Sequence, residues 1–364
     1  MHNIRFHNAL NRIPQAVPPI WFMRQAGRYH EHYQALSKEH GFTKLCKTPD
    51  LAAEVALGPI DDFDFDVSIL FSDILFVLSA LGMGLEYTSE GPKLEFSLDA
   101  KTISRLDTSQ NAIERLTFQA EALKKTRQRL PDNKSLIGFN GGLWSLFTYA
   151  VEGTHKGSLI KTKSSMDLFH PFMELLLPVL IENTSQQLDA GAEIVMMFDT
   201  AAGELSPALY HSLVVPYLEK LVSCFPKKIG LYTKGTTPAH YDHPMFKADI
   251  LAGLGVDHRW SAEDMSRLPT GFSQGNFDQT LLFLPKGEFL SHLHLYLDKI
   301  YENGPPPGWV SALGHGVLPK TPTQNVRLFV KTVRQYAQEH AHMEHASAEH
   351  AHMEHAPTDP ALKA

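Results

Sequence analysis

The sequence predicts a single (β/α)8 barrel, and three observations support this fold class. Eight short apolar runs, each bounded by turn residues, recur along the chain with helical patterns between them. The runs are almost continuously apolar, which favours parallel strands that are covered on both faces. Strands that alternate with helices build a parallel sheet, and eight such units close into a barrel. The predicted strands are residues 20–23, 67–71, 136–139, 194–198, 229–232, 250–254, 271–274 and 309–313.

Six longer segments have the pattern of helices. They are residues 49–63, 111–130, 166–190, 207–224, 281–303 and 322–338. Thr48, Ser206 and Thr321 each precede a proline, which predicts a helix that begins with a capping side chain and a proline in its first turn. Residues 85–96 predict a two-stranded excursion, whereas helix signals within residues 229–277 are short.

The C-terminal residues 339–364 differ in composition from the barrel, which we assign to residues 1–338. They contain two near-copies of a ten-residue His-rich unit and almost no large apolar residues. Such a segment cannot bury a core, so we expect a disordered or partly helical tail that extends the last helix by a turn or two. Paired histidines could bind a soft divalent metal there, although a solvated tail without a function is the alternative. The pairs are His342 with His345 and His352 with His355.

Composition restricts the ligand and the compartment. The chain has 364 residues and a net charge of -7, which gives no overall attraction to nucleic acid or to an anionic membrane. Cys46 and Cys224 are far apart and match no zinc or redox spacing, which is typical of a reducing compartment. The polar N-terminus lacks the apolar region of a signal peptide, and no apolar stretch is long enough for a membrane span. We therefore expect a cytoplasmic protein.

Residues 20–29 predict a binding site. Four apolar residues are followed by Arg24 and Arg28, which flank an Ala-Gly pair. A turn of small residues lets main-chain N–H groups approach a ligand, and guanidinium groups suit carboxylates or phosphates. The alternative is a solvated surface turn. We favour a site because the arginines follow directly on an apolar strand.

Polar residues and glycines follow almost every predicted strand, where barrel active sites form. They are Arg24 with Arg28, Asp73, residues 140–142, residues 199–203, residues 234–235, residues 275–276 and residues 314–316. A barrel without a ligand would have little reason to collect them at one end. The sequence therefore predicts a polar site at the mouth of the barrel.

Each single candidate at the mouth also has a structural interpretation. Asp73 has apolar neighbours, so its charge is costly unless it is paired, but it could equally cap the following helix. His315 lies between two glycines that leave its ring uncovered, although isolated histidines are more often structural. Tyr149 could be a core aromatic or a ligand donor. Thr200 could bind a ligand or cap the helix that begins near Ser206.

Five segments resemble signatures of the uroporphyrinogen decarboxylase family, in the family's order. They are residues 20–29, 69–75 with 80–85, 144–153, 198–203 and 313–319, within a resemblance that covers most of residues 10–336. The resemblance implies a single-domain (β/α)8 barrel that forms a homodimer and uses no cofactor or metal. Such an enzyme converts the four acetate side chains of uroporphyrinogen III to methyl groups, which gives coproporphyrinogen III for haem biosynthesis.

The resemblance also implies roles for residues. Asp73 matches the family's catalytic aspartate, which stabilises the positive charge that forms when a pyrrole carbon is protonated. The implied substrate-binding residues are Arg24, Gln25, Ala26, Gly27, Arg28, Tyr149, Thr200 and His315. The proton donor stays open, because the high pKa of an arginine makes it a poor general acid.

Several positions depart from the family pattern. Ser37 stands where Arg or Lys is frequent, Ala201 where a large residue is common, and residues 256–260 differ from the usual Gly-Leu-Asp-Trp. Gln34 and the runs 141–144 and 234–237 differ as well. Asp73 is intact, so these departures bear on affinity and rate.

Two other functions are compatible with parts of the sequence. A corrinoid-related methyltransferase on the same barrel would need His or Cys zinc ligands at the mouth, but neither cysteine follows a predicted strand. A non-catalytic porphyrinogen- or metal-binding protein could use the His-rich tail, but the intact Asp73 argues against lost catalysis.

Overall fold

The computed structural model describes residues 2–88, 91–154 and 157–354, with side chains as far as His342. Within these ranges, seven parallel strands form a curled sheet, and two further strands form a separate antiparallel hairpin. The strands are β1 (Val67–Ile69), β2 (Glu86–Thr88), β3 (Gly91–Lys93), β4 (Ser135–Gly141), β5 (Val195–Asp199), β6 (Ile229–Thr233), β7 (Gly253–Gly255), β8 (Phe272–Phe277) and β9 (Trp309–Leu313). The sheet runs in the order β1-β4-β5-β6-β7-β8-β9, and every residue in it is buried.

Helices surround this sheet and connect its strands, as a parallel order requires. In the described ranges they are α1 (Ile4–Leu10), α2 (Glu31–His40), α3 (Phe42–Lys47), α4 (Pro49–Phe63), α5 (Phe76–Leu78), α6 (Ser109–Glu114), α7 (Thr117–Arg129), α8 (Leu143–Glu152), α9 (Ile160–Ser164), α10 (Phe169–Asp189), α11 (Pro207–Leu209), α12 (Val215–Cys224), α13 (Pro244–Lys247), α14 (Ala262–Ser266), α15 (Lys286–Tyr301) and α16 (Thr323–Glu354). No helix in the described ranges is long and apolar enough to cross a bilayer.

The prediction of a strand at residues 20–23 is wrong, although the segment occupies the eighth position of the barrel. Ile20 makes only an isolated parallel bridge to Ser311 of β9. On its other side, the Ile20 carbonyl accepts a hydrogen bond of 2.9 Å from the N–H of Asp66, just before β1. Pro18 and Pro19 precede Ile20 and have no N–H, so a regular ladder cannot extend in that direction.

A buried carboxylate holds this closing segment in place. Asp66 is 1% exposed and accepts the N–H of Ile20 at 2.9 Å. Its other oxygen accepts Nδ2 of Asn3 and Nη1 of Arg5, both at 3.0 Å, and Arg334 of α16 donates at 3.3 Å. Hydrogen bonds to a charged group are about twice as strong as neutral ones. The side chain of Asp66 therefore connects the closing segment to its neighbours through hydrogen bonds, whereas main-chain hydrogen bonds connect the other strands of the sheet.

The other seven strand predictions and the hairpin at residues 85–96 are confirmed, with small shifts of their ends. The helix predicted over residues 111–130 is divided, because α6 ends at Glu114 and α7 begins at Thr117. Residues 207–224 contain a π-helical turn, Tyr210–Val214, between α11 and α12. As expected, the helices between β6 and β8 are short.

Helix ends differ in part from the predictions. Ser206 caps α11 by accepting the N–H of Leu209, as predicted. Thr48 precedes α4 without a side-chain capping bond, and the hydroxyl of Thr321 instead donates to Leu318, since α16 begins at Thr323.

Helix α16 is longer than the turn or two that the sequence predicts beyond residue 338, because it continues to Glu354. His340 extends its packing, with a ring 4.6 Å from that of Tyr336. Alanine and glutamate are frequent here and favour helix even where no core can form. The proposed histidine pairs lie outside the described side chains, apart from His342.

Candidate active site

All strands of the sheet are parallel, so the residues that follow them meet at one end of the barrel, the mouth. The closing segment, β1, β4, β5, β6, β7, β8 and β9 follow one another around this ring. In the sequence, Arg24, Asp73, Thr200 and His315 come directly after the closing segment, β1, β5 and β9, and Tyr149 lies on α8, which follows β4. The order of the strands in the sheet therefore determines the position of each of these residues around the ring.

Arg24 adopts a left-handed backbone conformation, with φ 58°. Its side chain crosses the loop after β9, where a Cβ added to Gly316 would lie 2.7 Å from Cδ of Arg24. Gly314 is equally constrained, because a Cβ there would lie 2.5 Å from the main-chain nitrogen of His258. The two glycines around His315 therefore serve close approach between neighbouring loops. The ring of His315 is half-buried, 6.2 Å from that of Tyr232.

Asp73 is a half-buried carboxylate, and one of its oxygens accepts the N–H of Leu75 at 2.8 Å. Helix α5 begins only at Phe76, and its N-cap residue is Leu75, so Asp73 makes a local turn bond and is not the helix N-cap. Burial raises the pKa of Asp73, and this effect is opposed by the Leu75 N–H, by Tyr87 and by the charge of Arg24. Among the described residues, the protein therefore offers the charged form of Asp73 only a few stabilising groups, namely these three.

The surroundings of Asp73 consist of weakly acidic side chains. Burial and the Asp73 charge raise the pKa of Tyr149 to about 12, and the nearby charge of Arg24 opposes this. The same two causes raise the pKa of Tyr87 well above its usual value. Cys46 is buried, and burial followed by Asp73 raises the pKa of its thiol. At neutral pH Tyr149, Tyr87 and Cys46 are therefore uncharged, and the positive charges that act on this cluster are those of Arg24, near Asp73 and Tyr149, and of Lys47, near Cys46.

Tyr87 was missed by the sequence analysis. It lies on β2, with its ring 4.6 Å from that of Phe42 and 6.1 Å from that of Phe76. Its hydroxyl is buried close to Asp73 and makes no well-formed hydrogen bond within the described residues. Tyr87 also lines a cavity of about 480 Å³ whose charged side chains are all basic: His40, Lys44 and Lys47. The sequence signal was only the predicted hairpin, which does not reveal what the hairpin contacts.

The rest of the segment after Arg24 has a mixed arrangement. The amide of Gln25 is buried, where its oxygen accepts the N–H of Phe22 at 3.2 Å and its nitrogen donates to Val67 at 3.0 Å. This side chain therefore ties the closing segment to β1. Ala26 and Gly27 are half-buried. Arg28 is exposed, and no ion pair of its guanidinium is found within the described residues.

Thr200 and its neighbour Asp199 have different environments. Ser206 caps α11, so capping does not explain Thr200, which is half-buried at the end of β5. Asp199 is 1% exposed and accepts the N–H of Trp144 and both the N–H and the hydroxyl of Ser145, at 3.1, 2.9 and 2.7 Å. Burial raises the pKa of Asp199, and these donors offset part of the effect. Asp199 fastens β5 to the start of α8.

Within the described part of the chain, no three His, Cys, Asp or Glu side chains are grouped so that they could hold a metal ion. The mouth does hold basic groups on the far wall from Asp73, including Arg259 after β7 and the half-buried Lys234 after β6. In the sequence, residues 256–260, which include Arg259, stand out only as a departure from the family pattern.

A parallel barrel with a partly desolvated carboxylate and basic side chains at its strand ends belongs to the class of α/β-barrel enzymes. Residues 1–336 match the family model described as uroporphyrinogen decarboxylase (URO-D). The chain therefore belongs to the uroporphyrinogen decarboxylase family, as the sequence motifs predicted.

Curated relatives support this membership. The chain is 33% identical to "Uroporphyrinogen decarboxylase" of Pseudoalteromonas atlantica, over 93% of this chain and 98% of the relative. It is 34% identical to the protein of the same name from Pelobacter propionicus, over 92% and 99% of the two chains. Among solved structures, a methyltransferase from Methanosarcina mazei has a TM-score of 0.72 at 19% identity and covers 92% of this chain and 99% of its own. That likeness shows the fold alone.

Proposed function

We propose that this protein decarboxylates the four acetate side chains of uroporphyrinogen III to methyl groups and so gives coproporphyrinogen III. The observation that carries the proposal is the position of Asp73, in a chain of this family. Its carboxylate follows β1, is partly desolvated, and within the described residues accepts one main-chain hydrogen bond, from Leu75. It retains acceptor capacity for the N–H groups of a ligand.

The chemistry needs a negative charge at this place. A pyrrole acetate loses carbon dioxide readily only after a ring carbon has been protonated, because the ring must accept the electrons of the breaking C–C bond. Asp73 accepts hydrogen bonds from the pyrrole N–H groups and stabilises the positive charge as it develops. Carbon dioxide then leaves, the methylene carbon gains a proton, and the ring carbon loses the one it had gained. Overall, each acetate consumes one proton and releases one carbon dioxide.

The remaining site residues bind the periphery of the substrate in this proposal. Arg24 and Arg28 bind carboxylates of the acetate and propionate arms through their guanidinium groups. Main-chain groups of Ala26 and Gly27 line the approach, while Gln25 fixes the turn from beneath. In this proposal the hydroxyls of Tyr149 and Thr200 and the ring of His315 contact further arms; these residues come after β4, β5 and β9 in the sequence, which supports this role.

The direct test is an anaerobic assay with enzymatically generated uroporphyrinogen III, followed by oxidation and chromatographic separation of the porphyrins. We expect conversion through intermediates with seven, six and five carboxylates to the four-carboxylate product. A matched arm contains a chelator, because the proposal includes no metal. Purified, folded protein that leaves all eight carboxylates in place would contradict the proposed function.

We further propose that the protein acts as a homodimer in the cytoplasm. Family membership supports the dimer. The cytoplasmic location is supported by the two cysteines, since Cys46 is buried and Cys224 is exposed and both are free thiols. Sedimentation equilibrium at several concentrations tests the dimer, and a single species of about 40.7 kDa would contradict it.

A further inference from the structure

The loop after β7 carries an arginine that the structure holds in a defined position. Nε and Nη2 of Arg259 donate to the two oxygens of Asp257, at 3.0 and 2.6 Å. Asp257 itself is 1% exposed and also accepts the main-chain N–H of Arg259 at 3.0 Å and that of Gly235 at 2.5 Å. Burial alone would raise the pKa of Asp257, but these donors outweigh it and keep the pKa below its usual value. The pair is therefore charged on both sides.

Part of the Arg259 guanidinium remains available. Two of its five N–H donors reach Asp257, and its side chain is 53% exposed. Nη1 makes no hydrogen bond to any residue that the structure describes. The group extends over Gly235, where an added Cβ would lie 3.6 Å from Nη2 and 3.8 Å from Nη1. The arginine thus reaches from the loop after β7 across the end of β6.

A second cation lies beside it. Lys234 immediately precedes Gly235, is half-buried, and its ammonium group forms no ion pair within the described ranges. Arg259 and Lys234 bring two positive charges to this point of the mouth, where Asp257 and Glu204 supply negative charges that act on Arg259. An anion bound beside Gly235 would therefore meet two cations, the guanidinium of Arg259 and the ammonium of Lys234.

The position of this pair in the ring is informative. The ring has eight places, counting the closing segment at residues 20–23, and β1 and β7 are four places apart in either direction. Arg259 therefore faces Asp73 across the barrel mouth. A ligand whose centre meets Asp73 and whose rim bears carboxylates would extend toward Arg259 and Lys234.

We propose that Arg259 and Lys234 form a second carboxylate-binding site that holds an acetate or propionate arm of the tetrapyrrole on the wall opposite Asp73. This inference depends on the proposed function and extends it to substrate recognition. Asp257 already fixes the guanidinium of Arg259 before a ligand arrives. A guanidinium that is held in place loses little conformational entropy when it binds a carboxylate. The second site would add two cations to those that Arg24 and Arg28 supply from the closing segment.

A purely structural role for Arg259, neutralising Asp257 and fixing the loop, makes a different prediction. In that case, Arg259→Met lowers the melting temperature without changing the Michaelis constant, and Lys234→Met changes neither. Lys234→Met is informative because its ammonium group has no partner to lose in the protein. Arg267→Met is the matched control, since Arg267 follows the end of α14 and its ion pair within the described residues is with the exposed Glu263.

The experiment measures binding and turnover separately on the full chain. Binding of uroporphyrin III, with eight carboxylates, and coproporphyrin III, with four, is followed by quenching of intrinsic fluorescence. We expect Arg259→Met and Lys234→Met each to weaken uroporphyrin binding about tenfold and to raise the Michaelis constant by a similar factor, as for a lost charge-assisted hydrogen bond. We expect kcat to change much less, and Arg267→Met to behave like the wild type.

The outcomes separate the two proposals. Wild-type protein that converts uroporphyrinogen, with both variants unchanged in dissociation and Michaelis constants, overturns the second site and leaves the proposed function intact. Wild-type protein that is folded but does not convert uroporphyrinogen contradicts the proposed function itself. If Arg259→Met is unstable, the Lys234→Met result alone decides, since unchanged binding in that variant removes the pair as a site.

Discussion

Asp73 and Asp199 are both carboxylates at strand ends of the same barrel, and burial raises the pKa of each. Their partners differ. Asp199 accepts three hydrogen bonds from Trp144 and Ser145 and is almost fully buried, whereas Asp73 accepts one main-chain N–H, from Leu75, and remains half-buried. A raised pKa therefore does not by itself mark a catalytic group. In our proposal, acceptor capacity that the protein leaves unused distinguishes Asp73, which binds the substrate, from Asp199, which connects two elements of the fold.

The largest expected effect follows from exchanging each carboxylate for its amide. Asp73→Asn should lower turnover by about 10²-fold or more, the scale of a lost electrostatic stabiliser. Its melting temperature should stay the same or rise, because a carboxyl whose pKa is raised by burial costs stability once the pH exceeds that pKa. Steady-state turnover and thermal unfolding at neutral pH measure the two effects.

Asp199→Asn is the matched comparison and should behave in the opposite way. The amide nitrogen would face an N–H or hydroxyl donor of Trp144 or Ser145, which should cost about 1–3 kcal/mol of the free energy of unfolding. Turnover per folded molecule should fall much less than for Asp73→Asn. Near-normal turnover in Asp73→Asn, or a larger loss in Asp199→Asn, would reverse the assignment of the two carboxylates.

The next effect concerns the two arginines that precede Asp73 in the ring. Both are exposed, but Arg24 acts electrostatically on Asp73 and Tyr149 and crosses Gly316, whereas no such contact of Arg28 is found within the described residues. Arg24→Ala should weaken substrate binding by about 1.5–3 kcal/mol, the range for a hydrogen bond to a charged group. Arg28→Ala should lie at the lower end of this range and let partly decarboxylated intermediates accumulate.

Two conservative variants refine this comparison of the arginines. Arg28→Lys should rescue binding only in part, because an ammonium group cannot form the bidentate fork. Arg24→Gly should lose as much binding as Arg24→Ala but be more stable, since its φ of 58° suits glycine. Product chromatography and Michaelis constants decide. A product profile for Arg28→Ala that matches the wild type would remove Arg28 from the site.

A smaller effect is expected in the pH dependence. In the proposed mechanism catalysis needs the charged form of Asp73, and burial raises the pKa of this group, so kcat/KM should begin to fall with decreasing pH above the usual range for an aspartate. The charge of Arg24 and the hydroxyl of Tyr87 both oppose that rise. Arg24→Ala and Tyr87→Phe should therefore move the acid limb to higher pH, while Arg28→Ala should leave it in place. An acid limb that none of these variants moves would mean that another group controls it.

The sequence was sufficient to predict where Asp73, Thr200 and His315 lie around the barrel, because parallel strands end at one edge whatever their exact bounds. It could not predict the contact between Tyr87 and Asp73. That contact depends on how the β2–β3 hairpin packs against Phe42 and Phe76, which are distant in sequence. Nor could apolar periodicity show that Arg24 is exposed and Gln25 buried, because this difference arises in a turn where Arg24 has a left-handed backbone conformation.

Two errors had a signal in the sequence that the pattern analysis did not weigh. Pro18 and Pro19 already limit main-chain pairing of the closing segment, and the Asp66 network replaces that pairing. The length of α16 follows from helix-forming residues in a segment that lacks a core. An apolar pattern indicates burial but takes no account of prolines or of helix propensity. The predictions were therefore wrong at the two ends of the barrel domain, at residues 20–23 and in the length of α16.

The smallest expected effect concerns the end of the chain and metals. His340 packs on Tyr301 and Tyr336, with ring centroids 4.9 and 4.6 Å away, so a truncation before it would remove contacts of the folded domain. Truncation after His342 spares these contacts and removes most of the His-rich repeat. We expect this variant to keep the turnover and melting temperature of the full chain, and chelator treatment of either protein to change nothing. In the proposed mechanism the site around Asp73 needs a fixed carboxylate and positively charged side chains that bind the substrate, and the tail supplies neither. Activity that disappears on truncation or chelation and returns with added zinc or nickel would show that the tail or a metal takes part in the reaction.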